Sequence, residues 1–343
     1  MKVVRYLIIG LLTTSITSLL LVFTLLYDLW GNMVLTGALF AFVFIQSLLL
    51  VFFIPRYWSG NWKELMDESL LEIEKISIPM KDGYKLVTTI IKKKNLPDTP
   101  RPAIVMLHGA NDAKEDLYVY AHPLALIGHI VICPDARGYG ENEDPSEKKS
   151  KKNKGIMDSW IENSEKSIKS DLVDILDYVE GLENVNMQKI GVLGHSMGAV
   201  AGFMTGLVDQ RIKIAICLSC LYTFVEIIED EEEAAEIFSM GWFFKNMLSS
   251  VLEPEEIAHL EKEFSPRYQI KKLVGRGILE KFRFIHALDD ELIPYENSFK
   301  LLNEDIKLPE KHYLLLEKGK HNLRGQETLV IAQVVRWFED VLR

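Results

Sequence analysis

The stretch Lys189-Ile190-Gly191-Val192-Leu193-Gly194-His195-Ser196-Met197-Gly198-Ala199-Val200-Ala201-Gly202-Phe203 decides the fold of this chain. Its first five residues read as a short apolar strand. Met197–Val208, rich in Gly and Ala, reads as a helix. Between them stands the pattern G-x-S-x-G, Gly194 to Gly198. Three fixed positions match by chance too readily to carry an argument alone; the context carries it. A sharp strand-to-helix turn strains a serine backbone and exposes its Oγ, and glycines two residues on either side leave room for the crossing backbone. The helix that follows presents free N–H groups to a developing oxyanion.

Working outward from this turn, strands and helices alternate. Before it, Ile73–Pro79 and Tyr84–Ile91 alternate apolar and polar residues around Asp82-Gly83, a hairpin signal. Ala103–Leu107 is an apolar strand ending in His108-Gly109-Ala110. A helix follows near Glu115–Ile127, and Ile130–Cys133 is the next strand. Ser164–Glu180 places Ile168, Leu172, Ile175, Leu176 and Val179 at helical spacing. After the turn, Ile212–Leu218, Lys281–His286 and His312–Leu316 read as strands, with Tyr295–Leu302 and Glu327–Leu342 as helices. An antiparallel start followed by alternating strand and helix predicts a mostly parallel eight-stranded sheet covered by helices on both faces. In such sheets ligands bind at the carboxyl ends of the strands.

What stands at those ends is chemically specific. A serine needs a base and an orienting acid to act as a nucleophile at neutral pH. His321 follows the last strand, and His286, Asp289 and Asp290 follow the strand before it. The order Ser196, Asp290, His321 is that of nucleophile, acid and base in one known arrangement. Asp289 competes for the acid role, and spacing to Ile293-Pro294 favours Asp290. The loop His108-Gly109-Ala110 is placed to supply a second oxyanion donor.

With these pieces the chain resembles the α/β-hydrolase superfamily, in particular bacterial esterase/lipase-like serine hydrolases, over about residues 70–343. The matching motifs are His108-Gly109, Asp135 to Gly140, Gly194 to Gly198, His286 to Pro294 and Gly319 to Asn322. The resemblance implies Ser196 as nucleophile, Asp290 as acid, His321 as base, and oxyanion amides from Ala110 and Met197. Ala287 stands where Gly is usual, and Glu141-Asn142 where Ser is frequent; neither position carries a catalytic role. The superfamily also holds thioesterases, peptidases, acyltransferases and inactive members, so the fold does not name the reaction.

Other residues read more simply. His195 lies inside the turn, with its side chain expected to point away from Oγ. His108 is expected to be a hydrogen-bonding residue at a strand end, and His122, His129, His259 and His312 ordinary core or surface histidines. No cluster has metal-ligand spacing, and the glycines around residue 194 lack dinucleotide-loop spacing; the expectation is no metal and no cofactor. Three cysteines, Cys133, Cys217 and Cys220, are too few for a disulfide framework; Cys217 and Cys220 are expected to be buried thiols. Asp135–Gly140 is expected to position a loop lining the site. The balance of 39 basic against 49 acidic residues, net −10, argues against a nucleic-acid partner.

The amino-terminal end has a different character. Arg5 and Asp28 enclose 22 uncharged residues, and Asp28 and Arg56 enclose 27. A helix of the shorter run spans about 33 Å, against a hydrocarbon core of roughly 30 Å. The expectation is a transmembrane hairpin within residues 1–60, with spans at about 6–27 and 33–54, ahead of a hydrolase domain over 61–343. Trp62–Leu71 reads as an amphipathic connector. Lys2, Arg5, Arg56 and Lys63 flank the hairpin and none lies in its turn, which places both ends and the acidic domain in the cytoplasm. Lys148–Lys154 is a basic loop, either simply solvated or touching the anionic leaflet. An insertion at about 222–269, with Met240, Phe243, Phe244, Met247 and Leu248 along one side, is placed where this superfamily carries a helical lid. The reading that follows is a membrane-anchored serine esterase on a small acyl substrate, a lipophilic one where the apolar insertion residues line its pocket. A peptidase or thioesterase on the same triad, or an inactive tethered binding protein, remain the alternatives, and the oligomeric state is left open.

Overall fold

A hairpin opens the described part of the chain. β1 (Leu71–Pro79) pairs antiparallel with β2 (Lys85–Lys93) across the turn at Asp82-Gly83, where Gly83 has φ +87°. The computed structural model describes residues 70–142, 163, 165–223, 262–271 and 278–343, all within the compact unit Met66–Arg343. The spans expected at 6–27 and 33–54, His259, the basic loop 148–154 and positions 224–261 of the expected lid lie outside the described residues. Among the described residues no helix is long and apolar enough to cross a membrane.

The remaining elements alternate as the sequence predicts. They are β3 (Arg101–Leu107), α1 (Tyr118–Leu126), β4 (Ile130–Pro134), α2 (Leu172–Glu180), β5 (Val185–His195) and α3 (Met197–Val208). There follow β6 (Ile212–Leu218), α4 (Pro266–Lys271), β7 (Phe282–Ala287), α5 (Leu301–Ile306), β8 (Tyr313–Leu316) and α6 (Glu327–Leu342). Together the strands make one eight-stranded sheet in the order β1-β2-β4-β3-β5-β6-β7-β8. β2 pairs antiparallel with β4, and every pair from β4 to β8 is parallel. Because β3 lies between β4 and β5, the chain moves one way from β3 to β4 and then crosses back over β3 to reach β5. The carboxyl ends of β3 and β5 therefore flank the crevice where such sheets bind ligands.

Both faces of the sheet are covered, so its central strands are apolar throughout. In β3, Ala103 and Val105 face one core with α2 and α3, while Ile104 and Met106 face the other with α1 and α6. A bulge breaks this two-residue period in β6. Ile190 pairs with Ile212 but Gly191 pairs with Ile214, which leaves Lys213 extra and sends Ile212 and Ile214 to opposite cores. Fully buried residues such as Ile104 contribute about 1.5–3 kcal/mol each relative to exposure.

Some boundaries differ from the sequence reading. α3 and α6 match it residue for residue. The helix expected from Ser164 is α-helical at residues 165 and 166 and then opens into a wide π turn, Ser167–Asp171, while the one expected from Tyr295 begins with a π turn, Glu296–Lys300, before running on to Ile306. Apolar spacing does not reveal an i→i+5 bond pattern, because the same residues face the core either way. Leu71, placed in the connector by its sequence, instead starts β1 opposite Lys93, where it is buried.

Candidate active site

The turn that decides the fold also builds the site. Ser196 has φ +51° and ψ −116°, a strained conformation for a residue with a Cβ. Its own amide donates to the Leu218 carbonyl at 2.9 Å, which anchors the turn to the end of β6. The flanking glycines are required by close approach. A Cβ on Gly194 would stand 2.2 Å from the Gly198 carbonyl oxygen, and one on Gly198 would stand 2.2 Å from that of Leu107. The first amides of α3 have no carbonyl within the helix to bind, so the Met197 N–H is available at the positive end of a twelve-residue helix.

The loop after β3 lies directly against the serine: a Cβ on Gly109 would come within 3.2 Å of Ser196 Cβ. This brings Ala110, the expected second oxyanion donor, next to the turn. Asn111, with φ +63°, and the Asp112 N–H to Gly109 carbonyl bond of 3.3 Å curl the loop back on itself. At the base of the loop His108 is buried. Its Nδ1 donates to the Gly109 carbonyl at 2.7 Å and its Nε2 accepts from the Ala136 amide at 2.8 Å, as a structural strand-end residue should. Burial lowers its pKa and keeps the ring neutral.

The structure brings Asp290 and His321 together. His321 Nδ1 donates to Asp290 Oδ2 at 2.9 Å, which leaves Nε2 as the unprotonated nitrogen. Asp290 Oδ1 accepts the Leu292 and Ile293 amides, each at 2.9 Å, and its side chain is fully buried. Burial alone would raise this carboxyl's pKa. The hydrogen bond from His321, the charge beside it and the Ile293 amide outweigh burial and hold it below its usual value. Behind the pair, buried His286 donates from Nε2 to the Ile293 carbonyl at 2.9 Å, and burial lowers its pKa too. Asp289, the competing acid, is turned elsewhere: its Oδ1 accepts the Lys320 amide at 2.8 Å and steadies the base loop. Among the described residues Ser196 Oγ has no hydrogen-bond partner. Bonds of this kind often close only around a substrate.

Three residues carry more of this site than their sequence suggested. His195 is not idle beside the serine. Its ring centroid lies 5.0 Å from that of His321, its Nε2 is 3.0 Å from the His321 carbonyl oxygen, and its Nδ1 is 3.3 Å from Asp112 Oδ2. Ser219, held at φ +48° after β6, donates its hydroxyl to the same His321 carbonyl at 2.8 Å. The positive φ of Ser219 and the spacing of Asp112 from His108 have no signature in one sequence. Only the sheet order puts them beside each other.

The Asp135–Gly140 motif supports the site without entering it. Lys114, fully buried, donates its backbone N–H to Asp135 Oδ1 at 2.8 Å and its ammonium to Asp135 and Glu141. Burial would lower the Lys114 pKa, but these two carboxylates overcome it and raise it. Arg137 forks onto Asp171 and Asp82 and lies over the Tyr84 ring at 4.4 Å, which ties the loop after β4 to the first hairpin and to the start of α2. A small cavity with mostly apolar walls, among them Leu86, Leu107, Pro134, Leu172, Met197 and Ala201, opens between this loop and the start of α3. All three cysteines are free and buried. His129 bonds Glu339 at 3.1 Å, away from the site.

Residues 102–266 match the family model of the alpha/beta hydrolase fold. Solved structures share this fold. The Pyrococcus horikoshii acylaminoacyl peptidase aligns over 80% of this chain and 42% of its own, at 16% identity and a TM-score of 0.58. An esterase of Pyrococcus furiosus aligns over 80% of this chain and 94% of its own, at 14% identity and a TM-score of 0.52. The acetyl xylan esterase from Paenibacillus sp. R4 aligns over 80% of this chain and 86% of its own, at 17% identity and a TM-score of 0.53. This chain thus spans less than half of the peptidase and most of each esterase. Among curated protein sequences none matches it. The described residues have the α/β-hydrolase fold, with the sheet order and strand-end loops of that architecture.

Proposed function

We propose that this chain is a membrane-anchored serine hydrolase that cleaves carboxylic esters through an acyl-enzyme. The observation that carries the reading is the hydrogen-bonded Asp290–His321 pair, its carboxylate buried, together with a serine held at positive φ whose neighbour His195 packs against the His321 ring. Ser196 Oγ attacks the ester carbonyl while His321 Nε2 takes its proton, and Asp290 fixes the ring so that Nε2 faces the reaction. The Met197 and Ala110 amides stabilise the oxyanion of the tetrahedral intermediate. His321 then returns the proton to the leaving alcohol. A water activated by the same nitrogen releases the acid.

Ester over peptide is favoured by extent. The two esterases match along most of their length, and the peptidase along 42% of its own. The apolar residues Met240, Phe243, Phe244, Met247 and Leu248 fit an acyl chain, and a two-span anchor over 6–27 and 33–54 suits a substrate that partitions into lipid. The basic flanks of the hairpin put the catalytic domain in the cytoplasm.

Fluorophosphonate labelling of the full chain tests the nucleophile: wild type labels and Ser196→Ala does not. On p-nitrophenyl esters, kcat/KM should rise from acetate to medium chains, since each buried methylene adds about 0.8 kcal/mol. A preference for aminoacyl amides over every ester would hand the site to peptide chemistry. Reporter fusions test the anchor: one after Arg343 should read cytoplasmic and one in the Leu29–Asn32 turn external. A cytoplasmic signal from both would remove the hairpin.

A further inference from the structure

Among the described residues the His195 ring faces two acceptors and no donor. Its Nε2 lies 3.0 Å from the His321 carbonyl oxygen and its Nδ1 lies 3.3 Å from Asp112 Oδ2. A neutral imidazole carries one N–H and satisfies only one of them; the doubly protonated ring satisfies both. The pair sits in a nearly closed place, with His195 side-chain exposure at 11% and that of Asp112 at 27%. The packing around it is tight: a Cβ on Gly109 would stand 2.6 Å from Asp112 Oδ2 and 3.0 Å from His195 Nδ1. Glycine at 109 therefore makes room for this pair as well as for the serine.

The contacts join three loops. Asp112 belongs to the loop after β3 that carries Ala110, His195 is the residue before the nucleophile, and the carbonyl belongs to the base His321 itself. Ser219 Oγ donates to the same carbonyl at 2.8 Å, so both lone pairs of that oxygen are used. Nothing in the Asp290–His321 bond fixes the backbone of the base loop; this second set of bonds does. Among the described residues the other titratable groups near the cluster are His108, at the end of β3, and, through the His321 ring, Asp290 from the loop after β7 and His286 from β7 itself.

We propose that His195 and Asp112 form a positioning pair, a His195 imidazolium held between the Asp112 carboxylate and the His321 carbonyl, which fastens the base loop to the oxyanion loop. The depressed Asp112 carboxyl agrees with its anionic role: burial alone would raise it, but the His195 hydrogen bond and charge outweigh burial. The bond to the carbonyl fixes the backbone of His321, and the two rings, with centroids 5.0 Å apart, hold one another in place.

The kinetic part of this inference rests on the serine-hydrolase reading; the protonation part does not, and the experiment separates them. The full chain is labelled with ring-15N histidine, and the His195 signals are assigned by their loss in His195→Gln. At neutral pH both His195 nitrogens should read as protonated in wild type, and one should lose its proton in Asp112→Asn. A single protonated nitrogen in wild type would overturn the pair, whether or not the protein hydrolyses anything. In kinetics, His195→Phe keeps the ring volume and should lose kcat about tenfold, the loss of one positioning hydrogen bond, with KM little changed. His195→Gln keeps a donor for the His321 carbonyl and should recover most of that kcat. Melting temperatures near wild type in both variants identify the loss as positional. If His195→Phe turns over like wild type, the fastening role is wrong. A wild type that neither labels nor turns over sinks the hydrolase reading and leaves the 15N result to decide the pair.

Discussion

Replacing Asp290 by Asn tests the acid assignment on its geometry. Asp290 uses both oxygens: Oδ1 holds the Leu292 and Ile293 amides, and Oδ2 holds His321 Nδ1–H. An asparagine has one carbonyl oxygen to offer. Turned toward the two amides, it keeps the loop but aims its NH2 at His321 Nδ1, donor against donor. Turned the other way, it strands two buried amides at about 1–3 kcal/mol each. The first orientation wins, and the ring then shifts its proton to Nε2, the nitrogen that must accept from Ser196. A wrong tautomer of this kind costs about 10⁴ in kcat, or roughly 5.5 kcal/mol of transition-state stabilisation. Steady-state hydrolysis of a p-nitrophenyl ester should show that loss, while the melting temperature changes little because the loop bonds survive. Asp289→Asn keeps an oxygen for the Lys320 amide and risks one exposed hydrogen bond, so its loss should stay below about tenfold. Turnover by Asp290→Asn within tenfold of wild type, or a deeper loss in Asp289→Asn, would refute the reasoning.

Two further expectations concern the scaffold. Gly198→Ala would put a methyl 2.2 Å from the Leu107 carbonyl oxygen, a backbone atom with nowhere to go, so denaturant unfolding should show a loss of about 3 kcal/mol or more. Gly83→Ala, where no atom lies within 4 Å, meets only the strain of its positive φ and should lose about 1 kcal/mol. The Arg137 fork holds the Asp82 carboxyl at about 2, against an ordinary 3.8. The fold therefore favours the carboxylate; its contribution is full above about pH 4 and disappears as pH falls toward 2. Asp82 is 37% exposed, and solvent screening leaves that contribution on the order of 1 kcal/mol. Asp82→Asn should melt lower than wild type at pH 6 and show a flatter dependence between pH 4 and pH 2; parallel curves would count against the ion pair.

Much of this site is legible in the sequence because its parts are local. A strand, a G-x-S-x-G turn and a small-residue helix form one continuous segment, and the glycines it needs are dictated by backbone clashes within a few residues and with the neighbouring strand. Asp290 and His321 are legible for a similar reason: each ends a recognisable apolar strand, and the order of strands in the chain assigns their roles. Spacing favours Asp290 over Asp289 as the acid; in the structure Asp290 accepts the Leu292 and Ile293 amides and bonds His321, and the asparagine replacements above test the role.

What the tertiary structure alone decided lies between segments far apart in the chain. Asp112, His195, Ser219 and His321 span 209 positions (112 to 321) and meet at one carbonyl oxygen and one imidazole. Neither Asp112 nor Ser219 has an unusual neighbourhood in sequence. A lone polar residue advertises neither its partner nor a positive φ, and the same Ser or Asp on a surface loop would read identically. The π turns before α2 and α5 were hidden for a related reason: an apolar pattern records which side of a helix is buried, and one extra residue per turn leaves that side apolar. Apolar periodicity determines which residues go inside and hence the sheet. Which polar groups then converge at its strand ends depends on the strand order, because β3 lies beside β5 and brings Asp112 within reach of His195.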